Sequence, residues 1–212
     1  FLLATQHAVQ VFAHKEIVTI AQHGLDTLKA LPETPERQQK ELLLLMNLGA
    51  ALMSTQGFVS PQIEEVYSRA RALCQQIGHS PYLLKALYGL WTVYVIRANY
   101  QTALELAAQI MRLAEERPSR SVLMRAHFAL GFTNDYMGNF LAARTHYENA
   151  LEFYDPQNER ADIEAMGNDV HVVALSRLAR VRLVLGHPDL CPYFGTDTLA
   201  EVAVTAPWGN HR

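Results

Sequence analysis

An all-α chain, folded as a right-handed α-solenoid of antiparallel helix pairs, is what this sequence predicts. Two observations carry that expectation. Turn-forming residues punctuate the chain regularly, and the roughly 15 to 20 residues between breaks place apolar side chains at i, i+3, i+4 and i+7. The second observation is that the chain matches itself when shifted by 40 residues. Its 212 residues are 50% hydrophobic, enough for one or two domains with a real core.

Taken in order, residues 1–30 give a less regular helix pair, ended by Leu31-Pro32-Glu33-Thr34-Pro35. Helices are then expected over 35–56 and 60–77, over 81–98 and 100–116, and over 120–137 and 140–154. Ser60-Pro61 and Ser80-Pro81 place a capping serine before a proline at the first helical position. Ile63, Val66, Tyr67, Ala70 and Leu73 form one apolar face, and Leu104, Ala107, Ala108, Met111 and Leu113 broadly form another. A further first helix is expected over 169–185, closed by Gly186-His187-Pro188. Weak strand-like alternation occurs only in "LAEVAVTA", 199–206.

The 40-residue shift brings like residues together. Ile63, Ala103 and Ala143 coincide, as do Tyr67, Ala107 and Tyr147, then Ala70, Ile110 and Ala150, then Leu73, Leu113 and Phe153. Met46 falls on Ala86 and Ala126, and Ala50 on Leu90 and Leu130. Ser60, Tyr100 and Phe140 share the place just after the turn. Each unit is thus helix A, a turn, and helix B, with small residues letting the two approach. One helical hairpin cannot bury its apolar face, whereas a stack can.

In "LGFTNDYMGNFLAARTHYENAL", 130–151, Leu130-Gly131, Gly138-Asn139-Phe140, Ala143, Tyr147 and Ala150-Leu151 resemble a tetratricopeptide repeat. The second unit matches through Leu90, Tyr94, Asn99-Tyr100 and Ala103, but has Trp91 and Ala98 where the motif has glycines. Segments 28–78, 86–107, 126–157 and 167–190 further resemble the repeat region of bacterial class III adenylate/guanylate cyclase–AAA/STAND ATPase signalling proteins. Pro32-x-Thr34-Pro35-Glu36-Arg37, Gly89-Leu90-Trp91 and Tyr154-Asp155-Pro156-Gln157 are its most specific phrases. The likeness implies a repeat domain over 1–190, a divergent tail over 191–212, and a segment cut from a longer bacterial, cytoplasmic protein.

No catalytic chemistry is expected. There is no phosphate loop, no GxGxxG and no GxSxG. Nine histidines show no HxxxH or HExxH spacing, so neither a metal nor a cofactor is predicted. Glu64-Glu65 and Glu115-Glu116 diverge as helix neighbours rather than converging as acid and base. Cys74 and Cys191 are far apart and read as reduced thiols. A net charge of −3 gives no support for nucleic acid, and no apolar run reaches the roughly 20 residues of a membrane span. The opening residues lack the basic flank of a signal peptide.

The tetratricopeptide likeness implies a partner groove lined by helix A. Carried onto this chain, the groove positions are Lys85, Tyr88, Thr92, Val95 and Ile96, then Arg125, Phe128, Phe132, Asp135 and Tyr136. Leu45, Leu48, Leu52, Thr55 and Gln56 occupy them in the first unit, whose apolar character points to packing instead. Lys85 and Arg125 share one place in successive units and could pair with an acidic peptide. The expected function is a non-catalytic scaffold for a protein or peptide partner, or for other domains of its parent chain. The alternatives are a spacer or oligomerisation segment and, from another class, an all-α small-molecule-binding domain.

Overall fold

A computed structural model describes residues 1–10, 13–58, 60–78, 82–116, 118–155 and 169–187. Among these, nine helices follow one another: α1 (Leu2–Gln10), α2 (His14–Lys29), α3 (Pro35–Gln56), α4 (Pro61–Ile77), α5 (Leu83–Ile96), α6 (Tyr100–Glu116), α7 (Arg120–Tyr136), α8 (Phe140–Glu152) and α9 (Val170–Val184). The described residues contain no strand. The 199–206 stretch, Ser80-Pro81 and the 191–212 tail lie outside them.

The starts obey capping chemistry. Thr34 and Ser119 are extended and accept the backbone N–H of Arg37 and Val122 on their hydroxyls, at 3.2 Å each. Asp169 does the same for Val172 at 3.0 Å. Ser60 departs from its expected role. Pro61 opens α4 as predicted, but the Ser60 hydroxyl makes no cap, and its carbonyl instead accepts from Ile63 N and from the Arg97 guanidinium.

The ends are more uniform. After α7, Asn139 N donates to Asn134 O at 2.9 Å and Gly138 N to Asp135 O at 3.2 Å. After α5, Asn99 N reaches Tyr94 O at 2.9 Å, and after α9, His187 N reaches Arg182 O at 3.0 Å. These wide loops back onto the last turn need a left-handed residue. Gly138 and Gly186 supply it with φ of 79° and 84°, whereas Ala98 is forced to 59°.

The chain divides into two compact units, Phe1–Leu106 and Ala107–Arg212, with α6 running through the division. In the first unit α3 packs against α1, α2 and α4, and α4 against α5. Leu42, Leu44, Leu45, Met46, Leu48, Ala51 and Leu52 bury α3 on several sides, each leucine contributing roughly 1.5–3 kcal/mol. Tyr67 is the keystone between α3 and α5. A Cβ added at Gly49 or Gly89 would lie 2.7 or 2.6 Å from its ring. Burial also drives its phenol pKa up. In the second unit α7, α8 and α9 pack mutually, and Tyr147 lies against Gly131, where an added Cβ would come within 3.0 Å.

Four of the repeat triplets are buried in all three copies: those of Met46, Ile63, Tyr67 and Ala70. Two behave differently. Leu113 and Phe153 are only half-buried where Leu73 is buried, and Ala50 is exposed where Leu90 is buried. The α6 face also differs from expectation. Its buried stripe is Ala103, Leu106, Ala107, Ile110 and Ala114, while Leu104, Ala108, Met111 and Leu113 are half-buried. The inward face thus mixes small alanines with Leu106 and Ile110.

Candidate partner-binding wall

In the first unit, α5 carries five of the residues expected at the groove, and Val95 among them is buried. Tyr88 is buried, its ring 4.9 Å from that of Trp91, so both aromatics belong to the core. Lys85 is half-buried, and desolvation holds its ammonium below the ordinary lysine pKa. Thr92 is half-buried and turns its hydroxyl back onto Tyr88 O at 2.9 Å. One turn further, Ile96 stands 46% exposed. A polar cluster sits beside this helix. Tyr94 O–H and Arg97 both donate to the Glu64 carboxylate, joining α5 to α4. The hydrogen bond from Tyr94, and then that from Arg97, hold Glu64 below its usual pKa against the opposing effect of burial.

In the second unit, the five residues expected on α7 run from Arg125 to its last residue, Tyr136. Arg125 and Phe128 are buried, each with 2% of its surface exposed. Phe128 lies 5.4 Å from Phe132, which lies 5.0 Å from Tyr136, giving an aromatic row along α7. The row rises from the core to the surface, since Phe132 is half-buried and Tyr136 is 44% exposed. Asp135 has no exposed side-chain surface. Its carboxylate is paired with Arg180, has Arg177 at 3.9 Å, and accepts from Tyr147 O–H at 3.4 Å. Under burial and beside that carboxylate, the Tyr147 phenol is pushed well above its ordinary pKa.

Arg177 completes the wall. Its guanidinium lies 4.7 Å above the Phe132 ring and 5.0 Å above that of Tyr136, and donates to the Tyr136 hydroxyl at 2.9 Å. Arg182, on the same helix α9, pairs with Glu148 of α8 at 2.9 Å. The arginines of α9 thus fasten it to α7 and α8. Sequence reasoning had no place for Arg177 and Arg180, because the irregular spacing after 155 moves α9 out of the 40-residue register. A signal existed nonetheless: Asp135, an acid on an otherwise apolar helix face, required a cation from elsewhere.

The structure therefore brings Phe132, Asp135 and Tyr136 together, with Phe128 beneath them. It also sinks Tyr88, Arg125, Phe128 and Asp135 below the surface. Lys85 and Thr92, half-buried, belong to the other unit. Arg125, being buried, is not a surface cation for an acidic partner. Among the described residues, no three His, Cys, Asp or Glu side chains converge as a metal site would require, and no helix is long and apolar enough to cross a membrane. Cys74 is buried, while Cys191 lies outside the described residues.

No family model and no curated protein matches the sequence. Among the solved structures that match the fold are two crystal structures. Both are of a Podosopora anserina protein described as a putative kinesin light chain with nearly identical TPR-like repeats, one of them a substituted form. The substituted form is 15% identical, covers 96% of this chain and 93% of its own, and superposes with a TM-score of 0.68. The other is also 15% identical, covers 97% and 95%, and has a TM-score of 0.67. With the two-helix units, repeated triplets and recurrent helix ends, this likeness establishes an all-α fold of tetratricopeptide-like helix pairs.

Proposed function

We propose that this chain is a non-catalytic interaction segment that holds a protein partner on helix A of its repeats. The observation that carries this reading is one repeat position treated alike in both units. Ile96 of α5 and Tyr136 of α7 are related by the 40-residue shift and are 46% and 44% exposed. A large apolar side chain kept at the surface at equivalent places is what a recognition wall needs. On α5, half-buried Thr92 stands one turn before Ile96 and Tyr88 is buried a turn earlier; on α7, half-buried Phe132 stands one turn before Tyr136, with Phe128 and Asp135 buried. The partner in this reading is a polypeptide with apolar side chains at its contact. The parent would be a bacterial cytoplasmic cyclase/ATPase signalling protein, a context supported by the sequence resemblance of residues 28–190.

The test is affinity capture followed by binding measurement with the partner so identified. Ile96→Ser with Tyr136→Ser should weaken binding at least about tenfold, the scale on which removal of an apolar anchor is felt. Circular dichroism should show unchanged helicity. Undiminished binding would remove the wall from the proposal. Concentration-dependent dimerisation that the same two substitutions abolish would favour the oligomerisation segment instead.

A further inference from the structure

One pair of titratable side chains takes no part in the wall. His127 of α7 and His146 of α8 place their Nδ1 atoms 3.1 Å apart. Their ring centroids are 5.4 Å apart, about what two ring radii added end to end to that contact would give. The nitrogens therefore point at each other. At this distance one Nδ1 must carry a proton and the other must accept it. A zinc ion bound by both at ~2.0–2.1 Å would sit off this line and require both rings to turn. Phe153 covers His127, its ring stacked at 5.7 Å and 11°, and both imidazoles are half-buried.

We propose that His127 and His146 form a proton-gated latch between α7 and α8, closed by one shared Nδ1 proton and opened by acid. This inference does not rest on partner binding. A second proton between the two Nδ1 atoms would set N–H against N–H, so the closed latch cannot hold two cations. Burial holds both imidazoles below the ordinary pKa of 6.5, and the charge of His146 adds to that effect at His127. In the unfolded chain each titrates near 6.5. The folded state then binds fewer protons below that pH, so the latch stabilises fully above about pH 6.5 and weakens as pH falls.

The surrounding charges point elsewhere. On α8, Arg144 and Glu148 stand two residues either side of His146 and leave the helix about 200° around it. Arg125 of α7 stands in the same relation to His127. Arg120 donates to the carbonyls of Glu152 and Tyr154 at 2.8 and 3.1 Å. From α9, Arg177 and Arg180 face Asp135, Arg182 faces Glu148, and His171 stacks on Tyr154 at 3.6 Å. The part of α6 in this unit carries Arg112, Glu115 and Glu116. No carboxylate is hydrogen-bonded to either imidazole among the described residues, so none compensates a second charge there.

The first measurement uses the unsubstituted chain. Long-range proton–nitrogen NMR at pH 7.5 should find one of the two rings protonated at Nδ1 and the other at Nε2. Two Nε2–H rings, or ordinary titration of both near pH 6.5, would overturn the latch. The second measurement is amide hydrogen exchange in α7 and α8 at pH 7.5 and 5.0. Protection should fall about 30-fold further in the native chain than in His127→Gln/His146→Gln, the ratio for one imidazole kept neutral 1.5 pH units below its free pKa. An equal fall in both proteins would overturn the proposal. Zinc chloride should leave both rings as they were, whereas joint movement of both signals with increased protection would make the pair a metal site instead.

Discussion

Ala98 pays at one residue for a turn that glycine makes elsewhere. Its φ of 59° matches the conformation of Gly138, its repeat counterpart, but with a Cβ attached. Ala98→Gly should therefore stabilise the first unit by about 0.5–1 kcal/mol, and Gly138→Ala should destabilise the second by about 1 kcal/mol. Urea unfolding of each variant measures both. Asp135 is the opposite case, a buried charge that two arginines compensate. Asp135→Ala leaves Arg177 and Arg180 facing each other without a counter-ion and should cost about 3 kcal/mol, read as lost exchange protection in α7 and α9. Substituting exposed Tyr136 to serine should cost far less. The sequence placed Asp135 among partner contacts because its helical position was legible, while the arginines that bury it were not.

At the scale of helices, the pattern of the chain was largely readable. The helices expected from 35 to 185 begin and end within a few residues of α3 to α9, because capping threonine and serine, prolines and closing glycines punctuate them. The face each helix buries was less readable. On α6 hydropathy favoured Leu104 and Met111, yet both are half-buried, and Ala103, Leu106 and Ile110 turn inward with Ala107. Tyr67 meets a steric limit. Gly89→Ala should destabilise the first unit by about 1–3 kcal/mol, since the ring is held from the other side by Gly49 and has nowhere to retreat. The link between α4 and α5 carries a pH dependence. Glu64 is held below the ordinary 4.5, so its stabilisation is present above that pH and disappears as acid protonates the folded carboxylate. Tyr94→Phe should flatten that acid limb, followed through Trp91 fluorescence in a Trp208→Phe background.

For the molecule as a whole, each unit contains its own native reporter. Cys74 is 1% exposed within Phe1–Leu106, so its labelling by a thiol reagent should wait for that unit to open. Labelling measured by peptide mass spectrometry should be slow in native buffer and become fast across the urea transition seen by Trp91. The imidazoles of His127 and His146 report the other unit. Repeat architecture was legible because stacking imposes the same small and aromatic residues every 40 positions. The histidine pair was invisible by the same logic: motif searching finds ligands spaced along one helix, whereas these meet across two. Nor could hydropathy tell which groove positions stay exposed, since that depends on α9 returning to cover α7.

The grip of two glycines on Tyr67 also constrains how such a chain can change over time. Moving along the repeat by 40 residues replaces Tyr67 with Ala107 and Gly89 with Ala129. Bulk removed at one place is matched by bulk allowed at the other. Positions 49, 67 and 89 should therefore vary as a set among descendants of this sequence. A side chain gained at 49 or 89 would be inherited only alongside a smaller residue at 67. Starting from Tyr67→Ala, selection for recovered stability should return larger residues at 49 or 89, a coupling that sequencing of the survivors would reveal.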